Sequence, residues 1–76
     1  MNLIRLPAVE AATGYSEPTI KRRIKDQEFP KPVKIGKRAI AWIEGEIFAV
    51  NAARAAGKSG EDIRALVADL ERQRAA

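Results

Sequence analysis

The sequence predicts a mainly α-helical domain that carries one small β-hairpin, and three observations lead to that class. Two short helical segments, "LPAVEAATG" and "SEPTIKRRIKDQ", are separated only by Tyr15. "FPKPVKIGKRAIAW" then abandons the helical period for two extended runs around Gly36-Lys37. Near the end, Ile63, Leu66, Val67 and Leu70 fall at i, i+3, i+4 and i+7, the stripe of an amphipathic helix.

In the first helix Pro7 suits the first turn, where its missing N–H costs nothing. Leu6, Val9 and Ala12 share a face that can meet a core, and Gly14 is expected to end the helix in a left-handed conformation. Two turns are marginal in isolation, so this helix must pack on something. The second helix opens with Ser16, whose hydroxyl is expected to accept a first-turn amide N–H. Glu17 complements the helix dipole and Pro18 is tolerated so near the start. Ile20 and Ile24 form its buried stripe, and the opposite face holds Pro18, Lys21, Arg22 and Lys25. Together the two helices make a helix-turn-helix pattern, a corner that many small helical proteins use for packing alone.

Phe29 reads as an apolar anchor, and Pro30 and Pro32 favour extended backbone. Gly36-Lys37 fits a two-residue type II′ turn, which would make Gly36 structurally required. In that pairing Trp42 falls on the Val33 and Ile35 side of the hairpin and enters the core, with Lys34 on the opposite side. An isolated hairpin is not stable, so its apolar face must lie on the helices. A third helix is expected from near Glu44 or Gly45, with Ile47, Val50, Phe48 and Ala53 inward and Gly57 as its stop. Glu44 and Glu46 are explained there by the helix dipole. Ser59 and Asp62 resemble a capping box before the last helix. The expected organisation is a head over residues 1–57 and an amphipathic helix over 58–76 that either folds back on the head or pairs with a second copy.

Composition narrows the chemistry. There is no Cys and no His, which removes disulfides, thiolate nucleophiles, the usual zinc sets and the commonest general base near neutral pH. With no phosphate-cradling Gly loop either, an enzyme is not expected, and no cofactor is implied. No apolar run reaches the ~20 residues of a membrane span, and "MNLIRLPAVEAATG" is not a secretory signal, so a cytoplasmic location is expected. Net charge is +4, but Lys21 to Arg38 holds eight bases and two acids, or +6, against −2 for the remainder. Such segregation is the electrostatic footprint of a nucleic-acid binder; the plain alternative is a solvated Lys/Arg-rich surface.

"RLPAVEAATGYSEPTIKRRIKDQEFPKPVKIGKRAIAWIEGEI" resembles the AlpA-type family of small phage and prophage DNA-binding regulators and, more distantly, phage excisionases with a MerR-like head. The resemblance runs from about Arg5 to Ala53 and rests above all on the Phe29 to Trp42 stretch. The sequence departs from the family pattern at Tyr15, commonly Leu; at Val50, usually Trp; and at Gly45, often Ser or Asp and still able to serve as an N-cap. The resemblance implies a winged helix-turn-helix whose second helix enters the major groove while the hairpin wing lies on backbone or minor groove. It implies double-stranded DNA as partner and a regulatory role, with an excisionase-like factor that bends DNA and contacts an integrase as the alternative. A protein-interaction module with an acidic partner is a third reading.

The chemistry of the side chains suggests roles. Arg22, central on the outward face, can bond both acceptors of guanine, or else a phosphate. Thr19 can meet a base edge or a thymine methyl, or simply stabilise its helix. Lys21 and Lys25 suit phosphates, while Arg23 lies nearer the buried side and covers it with its stem. Ser16 can reach a phosphate, although capping is its better reading. On the wing, Lys34, Lys37 and Arg38 suit phosphates or a narrow minor groove, and Lys31 adds a further phosphate contact. Tyr15 is read as a packing residue.

Overall fold

A computed structural model describes residues 2–74. The elements in order are β1 (Leu3–Ile4), α1 (Leu6–Thr13), α2 (Glu17–Lys25), β2 (Val33–Lys34), β3 (Ile40–Ile43), α3 (Glu44–Ala55) and α4 (Gly60–Gln73). The result is the expected helical domain with a small antiparallel sheet, compatible with a winged helix-turn-helix. The sheet has three strands rather than two, in the order β1-β3-β2. β1 pairs Leu3 with Ile43 and Ile4 with Trp42, an addition that two residues of sequence are too short to announce.

The pairing of β2 with β3 also differs from the expected hairpin. β2 pairs Val33 with Ala41 and Lys34 with Ile40, and the Ile35 N–H reaches the Ala39 carbonyl at 3.0 Å. Gly36, Lys37 and Arg38 therefore form a three-residue turn, not a two-residue one. The φ of Gly36 is not positive, so the type II′ geometry is absent, and a Cβ there would meet only the Ala39 Cβ at 3.7 Å. The register also moves Trp42 to the face shared by Ile40 and Lys34, away from Val33 and Ile35, because a one-residue slip exchanges the faces of a strand. Trp42 is nonetheless in the core, 3% exposed, with its indole N–H donating to the Pro30 carbonyl at 3.2 Å. Ala41 beside it is also buried: a central strand is covered on both sides.

One core unites Val9, Ile20, Phe29, Trp42, Ile47, Val50, Ile63 and Val67. Every helix contributes to it, so α4 lays Ile63 and Val67 onto the same interior as the helix-turn-helix. Leu66 and Leu70 pack at its border, as do Leu6, Ile24 and Ala53. Two expected inward residues stay outside. Ala12 is exposed, and Thr13 next to it packs down instead, its hydroxyl donating to the Val9 carbonyl at 2.8 Å. Phe48 is 55% exposed because the buried α3 face follows Glu46, Ile47 and Val50.

The helix ends show which local signals prevailed. Gly14 (φ 74) and Gly57 (φ 78) take the left-handed conformation that ends α1 and follows α3. α3 begins at Glu44, as expected, but Ile43, the last strand residue, is its N-cap, so Gly45 lies inside the helix instead of capping it. Ser59 caps α4 by accepting the Asp62 N–H at 3.1 Å. Ser16 occupies the N-cap of α2, but its side chain accepts no amide. Pro18, at the second helical position, has no N–H to offer, and Ser16 Oγ donates instead to Thr19 Oγ1 at 3.2 Å. α2 closes through Gln27, the one described non-glycine residue with positive φ (63°), and the Glu28 N–H returns to the Arg23 carbonyl at 2.8 Å. This turn directs Phe29 into the core and Glu28 toward the arginines described next.

Candidate nucleic-acid interface

α2 presents its cations as its apolar stripe requires. Ile20 is 1% exposed and Ile24 half-buried, which turns Lys21, Arg22 and Lys25 to solvent. Arg22 and Lys25 form no ion pair among the described residues; Lys21 lies 3.4 Å from Glu17, an exposed i,i+4 pair of the kind worth a few tenths of a kcal/mol. Thr19 is half-buried and Ser16 exposed, with their hydroxyls joined at the start of the helix.

The hairpin supplies the second set. Lys34, Lys37 and Arg38 are exposed and unpaired among the described residues, with Lys37 and Arg38 in the three-residue turn. The third candidate region, Lys31, is tied to α4. Its backbone N–H donates to Glu71 Oε2 at 2.9 Å, its ammonium lies 4.0 Å from the same carboxylate, and its carbonyl accepts from Arg74 at 2.8 Å. Lys31 is thus an anchored residue whose charge is partly answered within the chain.

α2 and the hairpin strand β3 border one groove of about 680 Å³. Ile20, Lys21 and Ile24 of α2 form one wall, and Ile40 and Trp42 of β3 the other. Arg5, just before α1, stands at its rim. Sequence reasoning gave Arg5 no role, since a single Arg beside a Leu-Pro step carries no local signal; only the tertiary fold brings it to α2.

Behind this face the arginines are occupied. Glu28 accepts from Arg23 at 3.1 Å, from Arg54 at 2.9 Å and from Arg64 at 2.8 Å, linking α2, α3 and α4. The Arg54 hydrogen bond, reinforced by the charges of Arg54, Arg64 and Arg23, holds the Glu28 carboxyl below its ordinary pKa of 4.5 even though burial pushes the other way. The Arg23 guanidinium also covers the Tyr15 ring at 4.9 Å, and that ring meets Phe29 edge-on at 6.3 Å, so both residues pack as expected. Glu46 does more than complement a dipole: it is 6% exposed and receives Arg74 from the end of α4, whose charged form it stabilises. Neither carboxylate cluster was legible from spacing, because their partners lie up to 36 residues away.

No group of three or more metal-ligating side chains occurs among the described residues, and no helix there is long and apolar enough to cross a membrane. A helix-turn-helix followed by a hairpin, each carrying exposed cations, has the form of a small winged helix-turn-helix protein. The family model for prophage CP4-57 regulatory protein (AlpA) matches residues 2–49. The chain belongs to this family of phage-associated regulatory DNA-binding proteins. It is also similar to an uncharacterized protein, ORF88, of Enterobacteria phage P4, with 38% identity over 55 residues. That alignment covers 72% of this chain and 62% of the phage protein, so the chain spans a little under two thirds of its relative's length. No solved structure matches the chain. The family match ends within α3, leaving α4 outside it.

Proposed function

We propose that this chain is a sequence-specific double-stranded DNA-binding transcriptional regulator of a phage or integrated element. α2 enters the major groove and the β2–β3 hairpin rests on the neighbouring backbone or minor groove. The observation that carries the reading is that α2 and the hairpin border one groove and that each carries exposed cations unpaired among the described residues, Arg22 and Lys25 on the helix and Lys34, Lys37 and Arg38 on the hairpin. Arg22 reads a base edge, Thr19 and Ser16 meet the strand near the start of α2, and Lys21, Lys25, Lys37 and Arg38 hold phosphates. Lys31 contributes at most a weakened phosphate contact because Glu71 shares its charge.

Of the C-terminal segment 58–76, the described residues 58–74 serve packing in this reading; residues 75 and 76 lie outside the described residues. The two most buried positions of the α4 stripe, Ile63 and Val67, are already spent in the chain's own core, so a symmetric dimer would have to use another surface. Selection of bound duplexes from a random pool tests the proposal. A defined consensus on the element's own promoter is the expected result. Recovery of attachment-site sequences alone, with strong bending and integrase recruitment, would replace the regulator by the excisionase-like factor. No binding even at low salt would turn the basic face over to an acidic protein partner.

A further inference from the structure

The groove between α2 and the hairpin has a lining that the cations do not explain. Its walls are apolar at Ile24, Ile40 and Trp42, and Ile40 remains 43% exposed. An exposed apolar side chain alone is ordinary, but Ile40 continues the Ile24 and Trp42 lining as one open apolar strip. The register places Lys34 directly across from Ile40, on the groove side of the hairpin. Arg5 and Lys21 line the groove itself. Arg5 makes no salt bridge or side-chain hydrogen bond with a described residue, and its side chain takes no part in capping α1. An apolar floor bordered by Arg5 and Lys21, with Lys34 on the same hairpin face as Ile40, is thus left open toward solvent.

We infer that this groove seats one sugar–phosphate strand of the duplex where it passes from the α2 contact to the wing, and that Arg5 is a further phosphate-binding residue. The inference rests on the DNA-binding reading and deepens it. A duplex touching both α2 and the hairpin must lay backbone across whatever separates them. Deoxyribose presents C–H edges that pack on Ile24 and Ile40, while its flanking phosphates meet Arg5 and Lys34. Glu17 is the one acid on the groove, and Lys21, 3.4 Å away, answers it. Charge complementarity therefore favours a polyanion, and the apolar floor favours one with apolar linkers between its charges.

Hydroxyl-radical footprinting and anisotropy titrations on a mixed-sequence duplex about three helical turns long test this, with salt varied from about 50 to about 200 mM. The full chain is expected to protect a short run of sugars between the α2 and wing footprints. Ile40→Gln should lose that run and bind about tenfold more weakly at every sequence, while Ile40→Val binds normally. Arg5→Ala should lower the salt slope by about one and keep base preference unchanged. Both positions are exposed, and circular dichroism checks that the fold is kept. If Ile40→Gln and Arg5→Ala footprint like the parent chain while Lys37→Ala weakens binding, the groove assignment is overturned and the DNA-binding reading stands. If the parent chain binds no duplex, both fall.

Discussion

The front and the rear of this small domain use the same residue types in opposite ways. On the front, Arg22, Lys25, Lys34, Lys37 and Arg38 stand exposed with no acidic partner among the described residues. At the rear, Arg23, Arg54 and Arg64 converge on Glu28, and Arg74 on Glu46. A guanidinium that is hydrogen-bonded in a part-buried cluster acts as a brace between elements. The same group left in solvent is held ready for an external anion. What separates the two is whether the fold delivers a carboxylate, and here it delivers two, Glu28 and Glu46, each to a place where α4 meets the rest of the chain.

Removing the rear carboxylate should have the largest effect. Glu28→Gln strips three arginines of their anionic partner and replaces one of its two acceptor oxygens by a donor, and is expected to cost about 2–3 kcal/mol of stability, read as a shift in the urea midpoint. The pH dependence sharpens this test. Because the folded-state pKa of Glu28 is depressed, its contribution is fully present above the ordinary value of 4.5 and fades as pH falls through the lower folded value. The parent chain should therefore lose stability below about pH 4.5 more steeply than Glu28→Gln does. Equal slopes would mean that the cluster is geometry without energetic consequence.

Front substitutions should leave stability within about 0.5 kcal/mol and change only binding. Arg22→Ala is expected to relax discrimination at one base pair by about 1–3 kcal/mol, measured by comparing the selected duplex with single-substitution variants. Uniform weakening at all sites would instead reassign Arg22 to a phosphate. Lys37→Ala should weaken all sequences alike and reduce the salt slope by about one, from about −4 to −5 if five phosphates are engaged. The smallest effect belongs to Gly36→Ala. Its non-positive φ and the 3.7 Å approach of Ala39 leave room for a methyl group, so the melting temperature should hardly move. A clear drop would restore the strained turn that the sequence suggested.

Local signals were legible wherever one stretch of chain settles its own conformation. The left-handed glycines 14 and 57, the first-turn prolines 7 and 18, the Ile20 and Ile24 stripe, the Ser59 cap and the exposed basic face of α2 follow from spacing and backbone chemistry. The fold class and the resemblance to AlpA-type regulators were legible for the same reason: they rest on one nearly continuous segment. The hairpin register was not, because two or three residues per strand leave several pairings consistent with the pattern, and β1, from the far end of the chain, helps bury β3. Ser16 was misjudged because Pro18 removes one of the two amides it would cap.

By itself the sequence determined the helical periods, the punctuation between them and the confinement of excess charge to Lys21 through Arg38. Those depend on interactions within a few residues, which a linear reading contains. Only the tertiary structure decided which cations are free, how Trp42 and Lys34 share a face, and that Arg5 and Ile40 border one groove. Each of these is set by pairing between residues remote in the chain, where burial and charge complementarity choose partners that no local pattern specifies.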